Sequence, residues 1–247
     1  MAPQWTRTLI GCLCLASLPG CALPTSRAPS SEPSAAARPL SADDLLTRCI
    51  AAYGQARTLE FAGVLEHQAG HLVARQNVYA VLDRPDRCRL EVDGNVTVLI
   101  GRDAWTYDAR SDRFGRYRAF TDTPMQTAAE MACNRVPLLS IDLFLRGARA
   151  LRTTTATDSP WTLGDVGFVA RRPCYELVRA ADTSGRGRLR LWIDQDHHVL
   201  RRWRIERGPL DEPEVIACMD YTRVGLDAPP PTDAFVVSRP RFAMLPK

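Results

Sequence analysis

Apolar side chains recur along this chain with two periods, and the switch between them lays out the fold. Over residues 41–54 the spacing is helical. Ser41 stands as an N-cap ahead of Asp43 and Asp44, Leu45, Leu46, Cys49, Ile50 and Tyr53 share one stripe, and Gly54 offers a stop. From residue 58 the period drops to two. Strands are predicted at 58–67, 71–83, 87–92, 96–100, 104–108 and 114–120, separated by turn signals such as RPD, DGN and GRD. Residues 123–149 return to a helical pattern broken near Pro137, and a second strand series follows at 166–180, 187–194, 198–206 and 214–225. The short connections require antiparallel pairing. The tail that follows, DAPPPTDAFVVSRP, is expected to close one edge of the sheet.

The order helix, six strands, helices, four strands is an α+β pattern. A sheet of about ten strands cannot stay flat. The predicted object is a large curled antiparallel sheet forming an incomplete barrel, with helices covering its concave face.

The first forty residues belong to neither period. Arg7 is followed by an apolar run from Leu9 to Leu18, too short for a bilayer core that needs about 20 helical residues. This is the layout of an export signal. It ends in Leu18-Pro19-Gly20-Cys21, which resembles the lipobox of bacterial lipoproteins, where the cysteine is acylated and becomes the new N-terminus. Pro19 departs from the usual small residue. Residues 22–40 carry four prolines and few large apolar side chains, a composition expected to act as a disordered, extended tether. The expected division is a lipoprotein signal at 1–20, an acylated Cys21 with its tether to residue 40, and one domain over 41–247. Ala22 after the cysteine, rather than Asp, points by the enterobacterial sorting rule to the periplasmic face of the outer membrane.

Composition changes the picture little. Of 247 residues 45% are hydrophobic and 24% charged, and the net charge is +4. Arginines alternate with Asp and Glu (RPDRCRLEVD, DARSDRFGRYR), so no basic stripe forms and no nucleic-acid partner is expected. Cysteine usage matters more. With Cys12 and Cys14 in the signal and Cys21 acylated, Cys49, Cys88, Cys133, Cys174 and Cys218 remain, in a compartment where disulfides persist. Their spacing excludes a C-x-x-C site. One or two structural disulfides are expected, with connectivity open and buried free thiols as the alternative.

No G-x-S-x-G, H-E-x-x-H, Walker A or G-x-G-x-x-G is present, so neither catalytic residue nor cofactor is assigned. Asp194-Gln195-Asp196-His197-His198 has metal-ligand residue types, but adjacent residues on strands face opposite ways. A polar hairpin turn is the expectation there and no metal is assigned; His67 and His71 beside the QAG turn are read likewise. A metal-dependent hydrolase is the least favoured reading.

Several phrases resemble LolA/LolB-like periplasmic lipoprotein-sorting proteins and their predicted lipoprotein relatives. They are ADDLLTRCIAAYGQARTLEF, LDRPDRCRLEVDG, GRDAWTYDARSDRFGRY and LRLWIDQDHHVLRRWRIE, with TDAFVVSRP near the end. The resemblance implies an unclosed barrel plugged by helices, with an apolar cavity for acyl chains. On it, Phe61, Leu65, Leu90, Trp105, Tyr107, Leu177, Leu191 and Ile193 are the candidate cavity residues. The sequence reading is thus a membrane-anchored envelope lipoprotein that binds or transfers an apolar ligand (acyl chains, lipid or lipoprotein) without catalysis. The alternative is an envelope protein-interaction or stress-sensor module of the same fold, with a protein partner.

Overall fold

The computed structural model describes residues 40–238 apart from 70, 119–124, 126–137, 155–158, 181–186 and 210. Cys21, the signal and the tether lie outside the described residues, as does Cys133. Helix α1 (Ala42–Gln55) begins where Ser41 Oγ accepts from the Asp44 N–H at 3.1 Å. Six strands follow: β1 (Thr58–Ala69), β2 (Leu72–Asp83), β3 (Arg87–Val92), β4 (Asn95–Ile100), β5 (Asp103–Asp108) and β6 (Arg113–Arg118). Among the described residues two short helices come next, α2 (Leu139–Arg146) and α3 (Arg149–Thr154). The second series is β7 (Thr162–Val169), β8 (Arg172–Ala180), β9 (Gly187–Asp194), β10 (Leu200–Arg207) and β11 (Glu214–Leu226).

All eleven strands form one antiparallel sheet in the order β6-β5-β4-β3-β2-β1-β11-β10-β9-β8-β7. Each series is a meander, and the two are joined where β1 meets β11. The strands β6 and β7 at the two ends do not pair, so the sheet stays open. Its bend is visible at the seam: opposite Ala62/Gly63 of β1, the register skips Thr222, which bulges from β11. A Cβ on Gly63 would stand 2.3 Å from the Asp220 carbonyl oxygen, so only glycine fits this approach.

The strand expected at 166–180 is in fact a hairpin. Ala170 and Arg171 both adopt positive φ, 49° and 64°, and reverse the chain without glycine or asparagine. The turn therefore left no mark in the sequence, and the count rises to eleven. The tail also differs from expectation. It crosses the face away from the helices rather than an edge, packing Ala234 and Phe235 against Ala62, Tyr79 and Val81. Arg89, fully buried there, pairs with Glu91 at 2.6 Å and donates to the Val236 carbonyl at 2.9 Å.

Candidate functional site

The register sorts every strand residue onto one of two faces, and the helices occupy only one. Leu45, Cys49 and Tyr53 of α1, with Leu139, Ile141, Leu143 and Phe144 of α2, pack with one side-chain set from nearly all the strands. One rung of that face runs Leu177, Leu191, Trp203, Met219, Leu65, Gln76 across β8, β9, β10, β11, β1 and β2. A second runs Val224, Phe61, Ala80, Leu90. The pattern is what period-two alternation produces when a single face meets a plug of helices.

The apolar surface on this side does not stop at the helices. On β7, Leu163, Val166 and Phe168 pair with Leu177, Tyr175 and Pro173, and they are 44%, 59% and 75% exposed. Leu163 continues the rung outward from Leu177, and Val166 and Phe168 extend the same face to solvent. Large exposed apolar side chains grouped on one strand mark a contact surface more often than scattered ones do.

A small polar centre sits within the plug. Tyr53 Oη and Ser140 Oγ are 3.2 Å apart, and the Leu200 N–H donates to Tyr53 Oη at 3.3 Å. Burial pushes the phenols of Tyr53 and Tyr221 well above their ordinary range, so both stay neutral. The centre ties α1 and α2 to β10. It holds no nucleophile paired with a base.

The ligating atoms of Asp194, Asp196 and His197 do come together, within 4.8 Å of one another. The turn accounts for this grouping. Asp194 is buried, and its Oδ1 accepts the backbone N–H groups of Asp196 and His197, each at 3.0 Å, and lies 3.2 Å from His197 Nδ1. Its Oδ2 accepts from Arg201 Nε at 2.9 Å. Burial raises the Asp194 pKa, but the His197 N–H and the side chains of Arg201 and His197 outweigh it and hold the carboxyl below 3.8. The carboxylate is spent on a β9–β10 turn.

The cysteines are free thiols among the described residues. Cys49 and Cys88 lie in the helix-facing core, and Cys174 and Cys218 are buried elsewhere. The disulfides expected from export do not form among these four, which stand on α1, β3, β8 and β11.

Of the eight cavity candidates, Phe61, Leu65, Leu90, Leu177, Leu191 and Ile193 are all buried in the helix-facing cluster. Trp105 and Tyr107 are on the opposite face. Trp105 pairs with Val98 and Tyr107 with Val96, and Tyr107 packs with those two valines next to Phe235. Period-two spacing places them on a common face without saying which face it is. Trp203, Met219 and Tyr221 lie on the helix-facing side and were not foreseen. Their alternation with arginine and acidic residues was the available signal.

No family model matches the chain, and no curated protein matches it in sequence. Among solved structures it is similar to MucB, at 15% identity and a TM-score of 0.45, over 80% of this chain and 62% of that one. It is also similar to the lipoprotein LppX of Mycobacterium tuberculosis (14%, TM-score 0.43, 78% and 100% covered). A third is a LolA superfamily protein of Nitrosomonas europaea (12%, TM-score 0.33, 80% and 98% covered). The chain spans about three-fifths of the length of MucB.

Proposed function

We propose that this protein is an acylated lipoprotein of the bacterial envelope that holds an apolar ligand against the concave face of its sheet and performs no chemistry on it. The ligand class is acyl chains, carried by a lipid or by another lipoprotein. One observation carries the reading: the apolar rung of the helix-filled core runs on to Leu163, beside Val166 and Phe168 exposed on the same face of β7. A chain entering there would meet a continuous apolar path of the kind ligand pockets use. The Leu18-Pro19-Gly20-Cys21 phrase and the proline-rich stretch after it supply the anchor and tether. With more than one acyl chain on Cys21, anchoring is stable, since each buried CH₂ contributes about 0.8 kcal/mol.

Two measurements test this. Cys21→Ser in the full chain is expected to move the protein from the membrane to the soluble periplasmic fraction; membrane retention would overturn the anchor. Native mass spectrometry of that soluble form is expected to show co-purified lipid, and a mass without lipid that also fails to take up added acyl chains would overturn the ligand.

A second reading has its own support. Strand β7 is a free edge with apolar side chains and a single charge, Asp165, and unpaired edges of this kind accept an added strand. On this reading the occupant is an envelope protein. A stoichiometric partner whose capture is lost in Val166→Pro would favour it over the lipid.

A further inference from the structure

We infer that the helix-facing side of the sheet carries a polar recognition point, made by His67 and Gln76, for the hydroxyl groups at the head of an acyl-chain ligand. The inference deepens the ligand-binding reading above and rests on it. His67 on β1 pairs with Ala74 of β2, and Gln76 on β2 pairs with Leu65 of β1. The two are therefore diagonal neighbours on one face, with Cβ atoms about 7–8 Å apart or less, within reach for long side chains. That face is the apolar one: Gln76 closes the rung of Leu177, Leu191, Trp203, Met219 and Leu65.

Neither side chain is satisfied there. His67 is only 8% exposed, and its Nε2 has no hydrogen-bond partner. Its Nδ1 makes one long contact, 3.4 Å, with the Gln68 carbonyl. Gln76 is half-buried, yet its Oε1 is enclosed and also without a partner. An enclosed polar atom left unpaired is costly, and two on diagonal neighbours of an apolar face are rare in native proteins. Their neighbours on the same face show what packing alone would select: Leu59, Phe61, Leu65, Val78, Ala80 and Leu82.

The chemistry of the two atoms narrows the missing group. An amide oxygen only accepts, so it requires a donor. An imidazole nitrogen either donates or accepts. With Nδ1–H turned to the Gln68 carbonyl, His67 Nε2 accepts as Gln76 Oε1 does, so a head with two hydroxyls, one donating to each atom, satisfies both at once. A carboxylate or a methyl ester has no proton to donate to Gln76, and a bare alkyl chain satisfies neither. The two atoms thus select a ligand whose hydroxylated head ends at β1 and β2.

The test uses the full chain carrying Cys21→Ser, with displacement of the apolar dye N-phenylnaphthylamine as readout. The probes are monooleoylglycerol, which has free hydroxyls, and methyl oleate, which has the same chain and none. Monooleoylglycerol is expected to displace the dye about tenfold more strongly than methyl oleate. Gln76→Leu should raise the Tm of the unliganded chain, because an orphan polar atom is removed, and should bring the two probes to within about twofold of each other. His67→Phe should do the same, and a His67→Phe chain that fails to fold leaves Gln76→Leu to decide. Equal displacement by both probes in the parent chain, or a Gln76→Leu chain that keeps the tenfold preference, overturns the recognition point and assigns the two atoms to an enclosed water. Absence of binding by the dye and both probes overturns the ligand reading itself.

Discussion

The guanidinium of Arg84 lies 4.3 Å above the ring of Phe144, and its two ends close two helices at once. Nη1 donates to the Gly54 carbonyl at the C-terminus of α1, at 2.6 Å, and Nη2 donates to the Phe144 carbonyl near the C-terminus of α2. A cation at these positions meets the negative ends of both macrodipoles and satisfies carbonyls that the helices leave open. The residue sits just past β2, so one side chain pins the helical plug to the sheet. Arg84→Ala is expected to cost about 2–3 kcal/mol, the range for charged hydrogen bonds, in urea denaturation. Arg84→Lys should recover less than half, since one ammonium cannot span both carbonyls and stack on the ring.

The tail across the opposite face depends on Arg89. This fully buried cation is held by Glu91 and by the Val236 carbonyl, with Ser238 Oγ at 3.4 Å. Arg89→Ala leaves Glu91 as a buried charge without its principal partner and should cost about 3–5 kcal/mol. It should also free residues 228–238 to proteases, read by limited proteolysis with mass mapping. Arg89→Met with Glu91→Leu removes both charges and should restore most of the stability while the tail stays cleavable.

Asp194 gives the domain part of its acid sensitivity. Its carboxyl is held below the ordinary 3.8, despite burial, by the N–H of His197 and the side chains of Arg201 and His197. A carboxyl with a lowered folded pKa contributes stability above its unfolded pKa, and that contribution is lost as pH falls through the folded value. Asp194→Asn should therefore be less stable than the parent at neutral pH. The difference should shrink as pH drops below about 3.9, the unfolded value. Equal stabilities at pH 7 would contradict this.

The buried thiols predict a chemical result. Burial pushes Cys49 and Cys88 up to about 12, so almost no thiolate is present at neutral pH. In the folded protein both should resist iodoacetamide, and both should be labelled once the chain is unfolded in urea without reductant. Labelling that required reductant would show a disulfide.

Much of this architecture is legible in the amino-acid sequence because it follows from local rules. The helical stripe of α1, its Ser41 cap, the period-two strands and their antiparallel pairing are properties of short segments, and short segments carry them. The 166–180 stretch escaped because Ala170 and Arg171 reverse the chain in a conformation that neither residue type advertises.

What only the tertiary structure decided is which face is which. Period two puts Trp105 with Tyr107, and Phe61 with Leu65 and His67, but it is blind to where the helices lie. Register across eleven strands settled that: it sent the first pair away from the plug, under the tail, and the others toward it. The same register set two unpaired polar atoms on an otherwise apolar face, and carried that face out to Phe168 at the open edge. Alternation is written into each strand, whereas the meaning of a face arises only when the sheet curls around something.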